Sequence, residues 1–118
     1  MTVMTGRHLV AVTACVSGVA HTYMAAERLE KLCQQEKWTV HIETQGALGV
    51  ENALTPDDIR RADVVLLVTD IELAESERFE NARYVKCGIN AFLRDPQKVM
   101  GVVRKMLSAP QHTQVILD

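Results

Sequence analysis

The pattern of apolar and polar positions predicts four β-strands along the chain. Residues 9–12 ("LVAV") and 64–68 ("VVLLV") are apolar throughout, which is typical of central strands covered on both faces. Residues 39–44 ("TVHIET") and 83–87 ("RYVKC") alternate between apolar and polar side chains, which is typical of strands with one exposed face. We therefore expect the first pair at the centre of a sheet and the second pair at its edges.

The segments between these strands show helical periodicity. A first, long helix is predicted after strand 1, because apolar side chains recur there every three or four residues. The face that we expect this helix to bury carries Ala25, Ala26, Leu29, Leu32 and Cys33. A second helix is predicted after strand 2, with Thr55 as its N-cap and Pro56 as its first helical residue.

A final helix is predicted to begin at Asp95 and Pro96 and to stop before Pro110. The acid-rich residues 72–80 predict a short helix or a loop, and the tail 111–118 receives no assignment. The buried face of the final helix is predicted to carry Val99, Met100, Val103 and Leu107.

Strands that alternate with helices predict an α/β fold of Rossmann-like type, with three layers (α/β/α) around a four-stranded parallel sheet. Right-handed crossovers and a central place for the two apolar strands give the strand order 2-1-3-4. In such a sheet, ligands bind at the carboxyl ends of the strands, where the order reverses between strands 1 and 3. Cys15 follows strand 1 at that point.

Size and charge narrow the class of protein. The chain has 118 residues, which suits a single domain spanning residues 1–118. Its formal net charge of −2 argues against nucleic acids and anionic membranes as the main partners. The sequence has neither the roughly 20 apolar residues that cross a bilayer nor a secretory leader, so we expect a cytoplasmic location. Three widely spaced cysteines fit neither a disulfide framework nor a CxxC metal site, and no cofactor or metal is predicted.

The segment from Cys15 to His21 joins strand 1 to the first helix and predicts phosphate chemistry. The first N–H groups of a helix have no internal partners and favour anions. Gly18 permits a close backbone approach, and the Ser17 hydroxyl can donate to a phosphoryl oxygen. The helix terminus also lowers the pKa of a nearby thiol, so Cys15 is the predicted nucleophile. The predicted phosphate-binding residues are Val16, Ser17, Gly18, Val19, Ala20 and His21.

The other cysteines and histidines receive weaker interpretations. A cysteine at a strand end is, taken alone, more often a small buried hydrophobe, but the phosphate-loop context favours a nucleophile at Cys15. Cys33 lies on the apolar helix face and Cys87 at the end of an edge strand, so we interpret both as core residues. His21 either binds the phosphoryl group as a cation or caps the helix start, and the sequence favours neither role. No function is predicted for His8, His41 and His112.

Residues 15–29 ("CVSGVAHTYMAAERL") resemble the phosphorylation-site segment of the fructose-family enzyme IIB components of the bacterial phosphotransferase system. The usual form of that segment is Cys-Pro-Thr-Gly-Ile/Val-Ala-His-Thr. The segments "VAVTAC", "VHIETQGALG", "RRADVVLLVTD" and "ERFENARYV" also resemble segments of this family, so the similarity covers nearly the whole chain.

The resemblance implies a phosphoryl carrier. In that family the cysteine accepts a phosphoryl group from a phosphohistidine on enzyme IIA and passes it to a sugar held by the membrane-embedded enzyme IIC. The resemblance therefore places the phosphocysteine on Cys15 and its phosphate-binding loop on residues 16–21. It implies a fructose-like sugar and docking at the inner face of the membrane. Because the sequence has no membrane segment, we expect enzyme IIC on a separate chain. Residues 43–46 ("ETQG") are expected after strand 2, where they would help to shape a partner surface.

Two residues of the loop depart from the family's usual form. Val16 stands in place of proline and Ser17 in place of threonine. Serine keeps the hydroxyl, whereas valine frees the turn and adds a backbone N–H that proline lacks.

Three alternative functions use the same cysteine. Low-molecular-weight tyrosine phosphatases have a Cys-x5-Arg loop, but His21 stands where the arginine would be, so the guanidinium that binds phosphate is missing. A redox thiol module would need a resolving cysteine near Cys15, and the spacing offers none. A regulatory domain that only binds phosphate is the third alternative.

Overall fold

A computed structural model describes residues 7–14, 19–46, 49–110 and 113–117 of the chain. Helices pack on both faces of one sheet, so the predicted α/β class is confirmed. In chain order the elements are β1 (His8–Ala14), α1 (Val19–Glu36), β2 (Thr39–Gly46), β3 (Gly49–Glu51), α2 (Pro56–Arg61), β4 (Val64–Thr69), a short 3₁₀ helix (Ser76–Phe79), β5 (Tyr84–Cys87), α3 (Ile89–Arg94), α4 (Pro96–Met106) and β6 (Gln114–Ile116).

The strands of the described ranges form one six-stranded sheet in the order β3-β2-β1-β4-β5-β6. Its four central strands, β2-β1-β4-β5, are parallel and confirm the predicted order 2-1-3-4. The predicted number of four strands is wrong, because β3 pairs antiparallel with β2 and β6 pairs parallel with β5. Both added strands have three residues and are largely exposed, so neither leaves a hydrophobic pattern in the sequence.

The sheet separates two parts of the hydrophobic core. On one face Leu9 and Ala11 of β1 pack with residues of α1, α3 and α4. Because successive side chains of a strand point to opposite faces, Thr13 lies on this same face. The opposite face packs against the segments that hold α2 and the 3₁₀ helix, and to it β1 contributes Val10, Val12 and Ala14.

α1 buries the face that the sequence predicts. Leu29 and Cys33 are fully buried within the core, and charged side chains occupy the outer face. Ala25 and Leu32 are also buried, and Ala26 is half-buried. The predicted inward face of the first helix is confirmed.

Thr55 and Asp58 fix the start of α2 through a reciprocal pair of hydrogen bonds. The backbone N–H of Asp58 donates to the Thr55 hydroxyl at 3.1 Å, and the backbone N–H of Thr55 donates to the Asp58 carboxylate at 2.9 Å. This capping box satisfies two N–H groups that the helix leaves free. Pro56 is the first helical residue, so the prediction for this helix is confirmed.

α4 begins directly after Asp95, whose carboxylate accepts a hydrogen bond from the backbone N–H of Lys98 at 3.2 Å. It ends before Pro110, as predicted. Leu107 lies just past the last helical residue and is only half-buried, so its predicted burial is corrected. The buried side chains are Val99, Met100, Val103 and Met106.

Two short helices are not clearly predicted by the sequence. α3 has six residues, fewer than two turns, and no helix was predicted there. The 3₁₀ helix falls within residues 72–80, where a short helix or a loop was predicted. None of the helices in the described part of the chain is long and apolar enough to span a membrane.

Candidate functional site

The carboxyl ends of three neighbouring strands meet where the chain leaves β1. Ala14, the last residue of β1, is in register with Gln45 on β2 and with Thr69 on β4. The chain passes from β1 to β2 through α1 on one face, and it later reaches β4 through α2 on the other face. The boundary between β1 and β4 is therefore the topological switch point, where open α/β sheets bind ligands.

The predicted nucleophile follows Ala14 directly in the sequence. β1 ends at Ala14 and α1 begins at Val19, so four residues connect a central strand to an 18-residue helix. The first N–H groups of such a helix have no partners within it and carry partial positive charge. The predicted site residues that lie outside the described residues are Cys15, Val16, Ser17 and Gly18.

The remaining predicted site residues lie within α1. Val19 and Ala20, which were predicted to turn the chain into the helix, are instead its first two residues. The connection is therefore shorter than predicted, and the backbone N–H groups of these two residues are among those that lack a partner within the helix. His21 is the third helical residue and its side chain is exposed.

Buried threonines face the same end of the sheet. Thr13 is fully buried, and its Oγ1 has no hydrogen-bond partner in the described part of the chain. Thr44 is in register with Thr13, and its hydroxyl donates to Oε1 of Glu51 at 3.4 Å. Thr22 of α1 is also buried, and a Cβ added to Gly46 would meet its Oγ1 at 3.9 Å. Hydroxyl groups thus line the face where the carboxyl ends of β1 and β2 approach α1.

Asp70 is the first residue after β4, on the other side of the switch point. Its Oδ1 accepts a hydrogen bond from the backbone N–H of Ile89 at 3.2 Å. A Cβ on Gly88 would lie only 2.7 Å from that same oxygen, so another residue at this position would displace the Asp70 carboxylate. The Thr69 hydroxyl donates to the carbonyl of Ile71 at 2.7 Å and accepts from its N–H at 3.0 Å, which fixes the turn. The carboxylate of Asp70 is therefore held in place while its residue stays exposed.

Glu43 of β2 is a fully buried carboxylate with four donors. Arg78 donates from Nη1 to Oε1 at 2.8 Å and from Nη2 to Oε2 at 3.0 Å. The backbone N–H of Leu54 donates to Oε1 at 2.7 Å, and Nε2 of Gln45 donates to Oε2 at 2.6 Å. Gln45 in turn accepts from the N–H of Ala74 at 3.0 Å. This network joins β2 to the segment that follows β4.

The network corrects the expectation for residues 43–46. They were expected after strand 2 as part of a partner surface, but they form the last four residues of β2. The side chains of Glu43, Thr44 and Gln45 are buried, so they stabilise the carboxyl end of β2 and are not available to a partner protein.

The pKa of the Glu43 carboxyl is lowered from its ordinary value. Burial alone would raise it, but the hydrogen bonds from Arg78, Gln45 and the Leu54 backbone, together with the charge of Arg78, outweigh burial. The pKa of Arg78 is raised, chiefly by its hydrogen bonds to Glu43. Glu43 is therefore an ionised, fully paired structural group.

Cys33 and Cys87 are buried free thiols, which confirms their interpretation as core residues. Burial raises the pKa of each to about 12. For Cys87, which ends β5 at the carboxyl edge of the sheet, the charge of Asp70 adds to the effect of burial. Neither thiol forms a reactive thiolate at neutral pH.

Exposed apolar side chains lie on α1 and on the two outer strands of the sheet. Large exposed apolar residues of the described ranges are Tyr23 and Met24 in α1, Val50 in β3 and Ile116 in β6. The Tyr23 hydroxyl donates to the Glu51 carboxylate, which ties the first turns of α1 to β3. Only Ile116 lies at the far edge of the sheet.

The other histidines occupy structural positions where they are described. His8 Nδ1 lies 2.7 Å from the Thr39 hydroxyl, and His41 Nε2 lies 3.0 Å from the carbonyl oxygen of Asn52. His112 lies outside the described residues. Within the described ranges, no three His, Cys, Asp or Glu side chains come together as a metal site would require.

Comparison with known proteins decides the family. Residues 10–101 match the family described as "PTS system, Lactose/Cellobiose specific IIB subunit". The chain is 75% identical over 111 residues to the PTS system fructose-like EIIB component 3 of Escherichia coli K12, covering 94% of this chain and 98% of the relative. The chain belongs to the fructose-like IIB components of the phosphotransferase system.

A solved structure and a longer relative agree with this family. A crystal structure of a predicted fructose-specific IIB from Escherichia coli superposes with a TM-score of 0.92 at 74% identity, covering 95% of this chain and 99% of that one. The PTS system fructose-specific EIIB'BC component of Xanthomonas campestris pv. campestris is 40% identical over 90 residues, which are 76% of this chain and 15% of that protein. The expected resemblance to fructose-family IIB components is confirmed, and such components are phosphotransferase domains.

Sequence reasoning missed two features of this IIB component. The sequence could have indicated Asp70, since it is a charged residue directly after a central apolar strand at the predicted ligand-binding edge. Nothing in the sequence indicates that Glu43 pairs with Arg78, because the two residues are 35 positions apart and both types are usually exposed.

Proposed function

We propose that this IIB component, acting as one domain over residues 1–118, carries a phosphoryl group on Cys15 during uptake of a fructose-like sugar. One observation carries the proposal most strongly. Cys15 follows the last residue of β1 at the topological switch point, and α1 begins only four positions later. The N–H groups at the start of such a helix stabilise both a thiolate and a phosphate, which supports a thiol carrier in this connection.

In the first step, the Cys15 thiolate attacks the phosphorus of a phosphohistidine on enzyme IIA. The S–P bond forms as the N–P bond breaks, and the imidazole nitrogen keeps the electron pair and takes up a proton. Backbone N–H groups of the loop and of Val19 and Ala20, with the Ser17 hydroxyl, neutralise charge on the transferred group. His21, exposed on the first turn of α1, provides a further donor at this end of the helix.

In the second step, a sugar hydroxyl held by enzyme IIC attacks the phosphorus. The O–P bond forms, the S–P bond breaks, and the thiolate leaves with the electron pair while the hydroxyl proton passes to a base or to water. The name of the Xanthomonas relative, EIIB'BC, supports a C component as the partner. We infer that the chain works in the cytoplasm and meets enzyme IIC at the inner face of the membrane.

The surface beside Cys15 supports transfer between proteins. Tyr23 and Met24 expose apolar surface near the start of α1, and exposed apolar surface beside a reactive group is where a protein partner would dock. Both enzyme IIA and enzyme IIC would use this surface in turn.

The experiment incubates the protein with phosphorylated enzyme IIA and measures the mass of the intact chain. The proposal predicts one phosphoryl group on the wild type and none on Cys15→Ser, because a serine hydroxyl is far harder to ionise than a thiol. Cys87→Ala is the control, since it removes a buried thiol at the same edge of the sheet. Uptake by Cys15→Ser equal to that of the wild type would overturn the assignment.

A further inference from the structure

A cavity of about 390 Å³ lies beside α2, at the amino ends of the central strands. Asp63 and Arg83, the residues directly before β4 and β5, both line this α2 cavity. The candidate site described above lies at the carboxyl ends of the strands, so the α2 cavity is a separate feature of the molecule. Its volume falls within the range of roughly 300–1,000 Å³ that is typical of small-molecule sites.

The thin cover on this face of the sheet explains why the α2 cavity exists. The other face packs against three helices, α1, α3 and α4. On this face the cover is the 3₁₀ helix and α2, which has six residues and none that is fully buried. Buried Val65 of β4 lines the cavity together with half-buried Ile59 and Ala82. These apolar groups suit the C–H surface of a small organic molecule.

Arg83 places a positive charge in the α2 cavity that no acid of the described ranges neutralises. Its Nε donates to the carbonyl oxygen of Asp63 at 3.0 Å, and its Nη1 donates to that of Ala109 at 2.7 Å. Its Nη2 also donates to the Asp63 carbonyl. These carbonyls fix the guanidinium but carry no net charge, and Arg83 is in none of the ion pairs of the described residues. Since a guanidinium has five N–H groups, it can still donate to an anion.

Arg60 adds a second cation on the exposed side of the cavity. Its side chain is 73% exposed and forms an ion pair with Asp57. Asp57 also pairs with Arg61 at 3.4 Å, so it keeps a cationic partner when Arg60 turns toward a ligand. Exposed pairs of this kind are weak. Arg78 also lines the cavity, but its guanidinium is bound to Glu43.

Asp63 restricts which anion suits the α2 cavity. Its Oδ2 accepts a hydrogen bond from the backbone N–H of His8 at 2.7 Å, and no described residue donates to its Oδ1. A carboxylate repels a bare anion but accepts hydrogen bonds from hydroxyl groups. A ligand that suits both Asp63 and Arg83 therefore combines an anionic group with hydroxyl groups. A sugar phosphate has both, together with an apolar C–H surface.

We propose that the α2 cavity binds a sugar phosphate, with the phosphate on Arg60 and Arg83 and the sugar hydroxyls on Asp63. The choice of this ligand rests on the proposed function, in which a sugar phosphate is the product. The product thereby binds its carrier at a place other than the site of phosphoryl transfer.

The test is a titration of the ¹⁵N-labelled protein with fructose 1-phosphate, followed through the NMR signals of the backbone amides. We expect the signals of Ala82 and Arg83 to shift, and we expect fructose and inorganic phosphate to bind at least about tenfold more weakly. Arg60→Ala is expected to weaken binding about tenfold, which corresponds to one charge-assisted hydrogen bond. Arg61→Ala is the matched control, since Arg61 is similarly exposed on α2 but does not line the cavity.

Three results would overturn the inference: no binding of fructose 1-phosphate, equal affinities of Arg60→Ala and Arg61→Ala, or signal shifts confined to Val19 and Ala20 at the start of α1. Inorganic phosphate that binds as tightly as fructose 1-phosphate would also overturn it, because the hydroxyl groups would then contribute nothing. The titration uses unphosphorylated protein and needs no transfer step. Failure of the proposed function is instead seen when the wild type accepts no phosphoryl group from enzyme IIA, so the two failures are distinguishable.

Discussion

Arg78 binds the buried carboxylate of Glu43 through two parallel hydrogen bonds of 2.8 and 3.0 Å. Glu43 lies on β2, and Arg78 belongs to the 3₁₀ helix after β4, so the pair joins segments on both sides of β1. β1 ends directly before Cys15 in the sequence, so this pair supports the carboxyl edge of the sheet on which the proposed chemistry depends.

Replacing Arg78 with alanine is expected to lower the free energy of unfolding by about 3–5 kcal/mol, because it leaves a buried charge without its partner. The measurement is urea denaturation followed by circular dichroism. The control is Arg104→Ala, which breaks an exposed ion pair with Glu36 of similar length, 2.8 Å, and is expected to cost less than about 1 kcal/mol. Equal losses in the two variants would show that burial of Glu43 does not matter.

The Glu43 network also predicts how stability depends on pH. The pKa of Glu43 is lowered in the folded state, so folding favours its ionised form. Its contribution is present above the unfolded-state pKa of about 4.3 and is lost as the pH falls through the folded-state pKa. Denaturation midpoints measured between pH 7 and pH 3 should therefore fall less steeply for Glu43→Gln than for the wild type. Equal slopes for Glu43→Gln and the wild type would contradict this expectation.

The position of Glu43 marks a limit of the sequence pattern. Alternation in residues 39–44 predicted the strand and its two faces correctly, but it placed the face with Glu43 toward solvent. The alternation of apolar and polar residues assigns each side chain to the core or to solvent by its own polarity. The burial of Glu43 depends instead on an arginine 35 residues away. Central strands, by contrast, need no such partner, and their apolar runs were sufficient to predict the strand order.

Thr13→Val is expected to raise the free energy of unfolding by about 1–2 kcal/mol, because the buried Oγ1 has no partner within the described residues. The measurement is the same urea titration. Thr44→Val is the matched control, since it lies in register with Thr13 but its hydroxyl donates to Glu51. A stability loss in Thr13→Val as large as that in Thr44→Val would contradict this expectation.

The candidate site was predicted in part for a related reason. Cys15 and its loop are contiguous in the sequence, so their residue types could be interpreted together. Asp70 reaches the same edge only through the pairing of β1 with β4, and its fixed position depends on Gly88 in a third segment. Contacts of this kind form only when the strands pair, so no single segment of the sequence predicts them.

Met24→Lys is expected to lower kcat/KM for phosphoryl transfer from enzyme IIA at least about fivefold, because a charge would be placed in the proposed docking surface. The measurement is the initial rate of phosphoryl uptake at several concentrations of phosphorylated enzyme IIA. Ile116→Lys is the control, since Ile116 is more exposed than Met24 and lies at the far edge of the sheet. The docking surface is placed wrongly if both variants slow transfer equally.

The fate of the phosphoryl group tests the central claim most directly. The isolated wild-type protein, loaded with a radiolabelled phosphoryl group, is mixed with membranes that contain its enzyme IIC, in the presence and absence of fructose-like sugars. A carrier is expected to pass the label to a sugar as a sugar phosphate, and to keep it on Cys15 when sugar is absent. Release of the label as inorganic phosphate at the same rate with and without sugar would contradict the account and would favour a phosphatase.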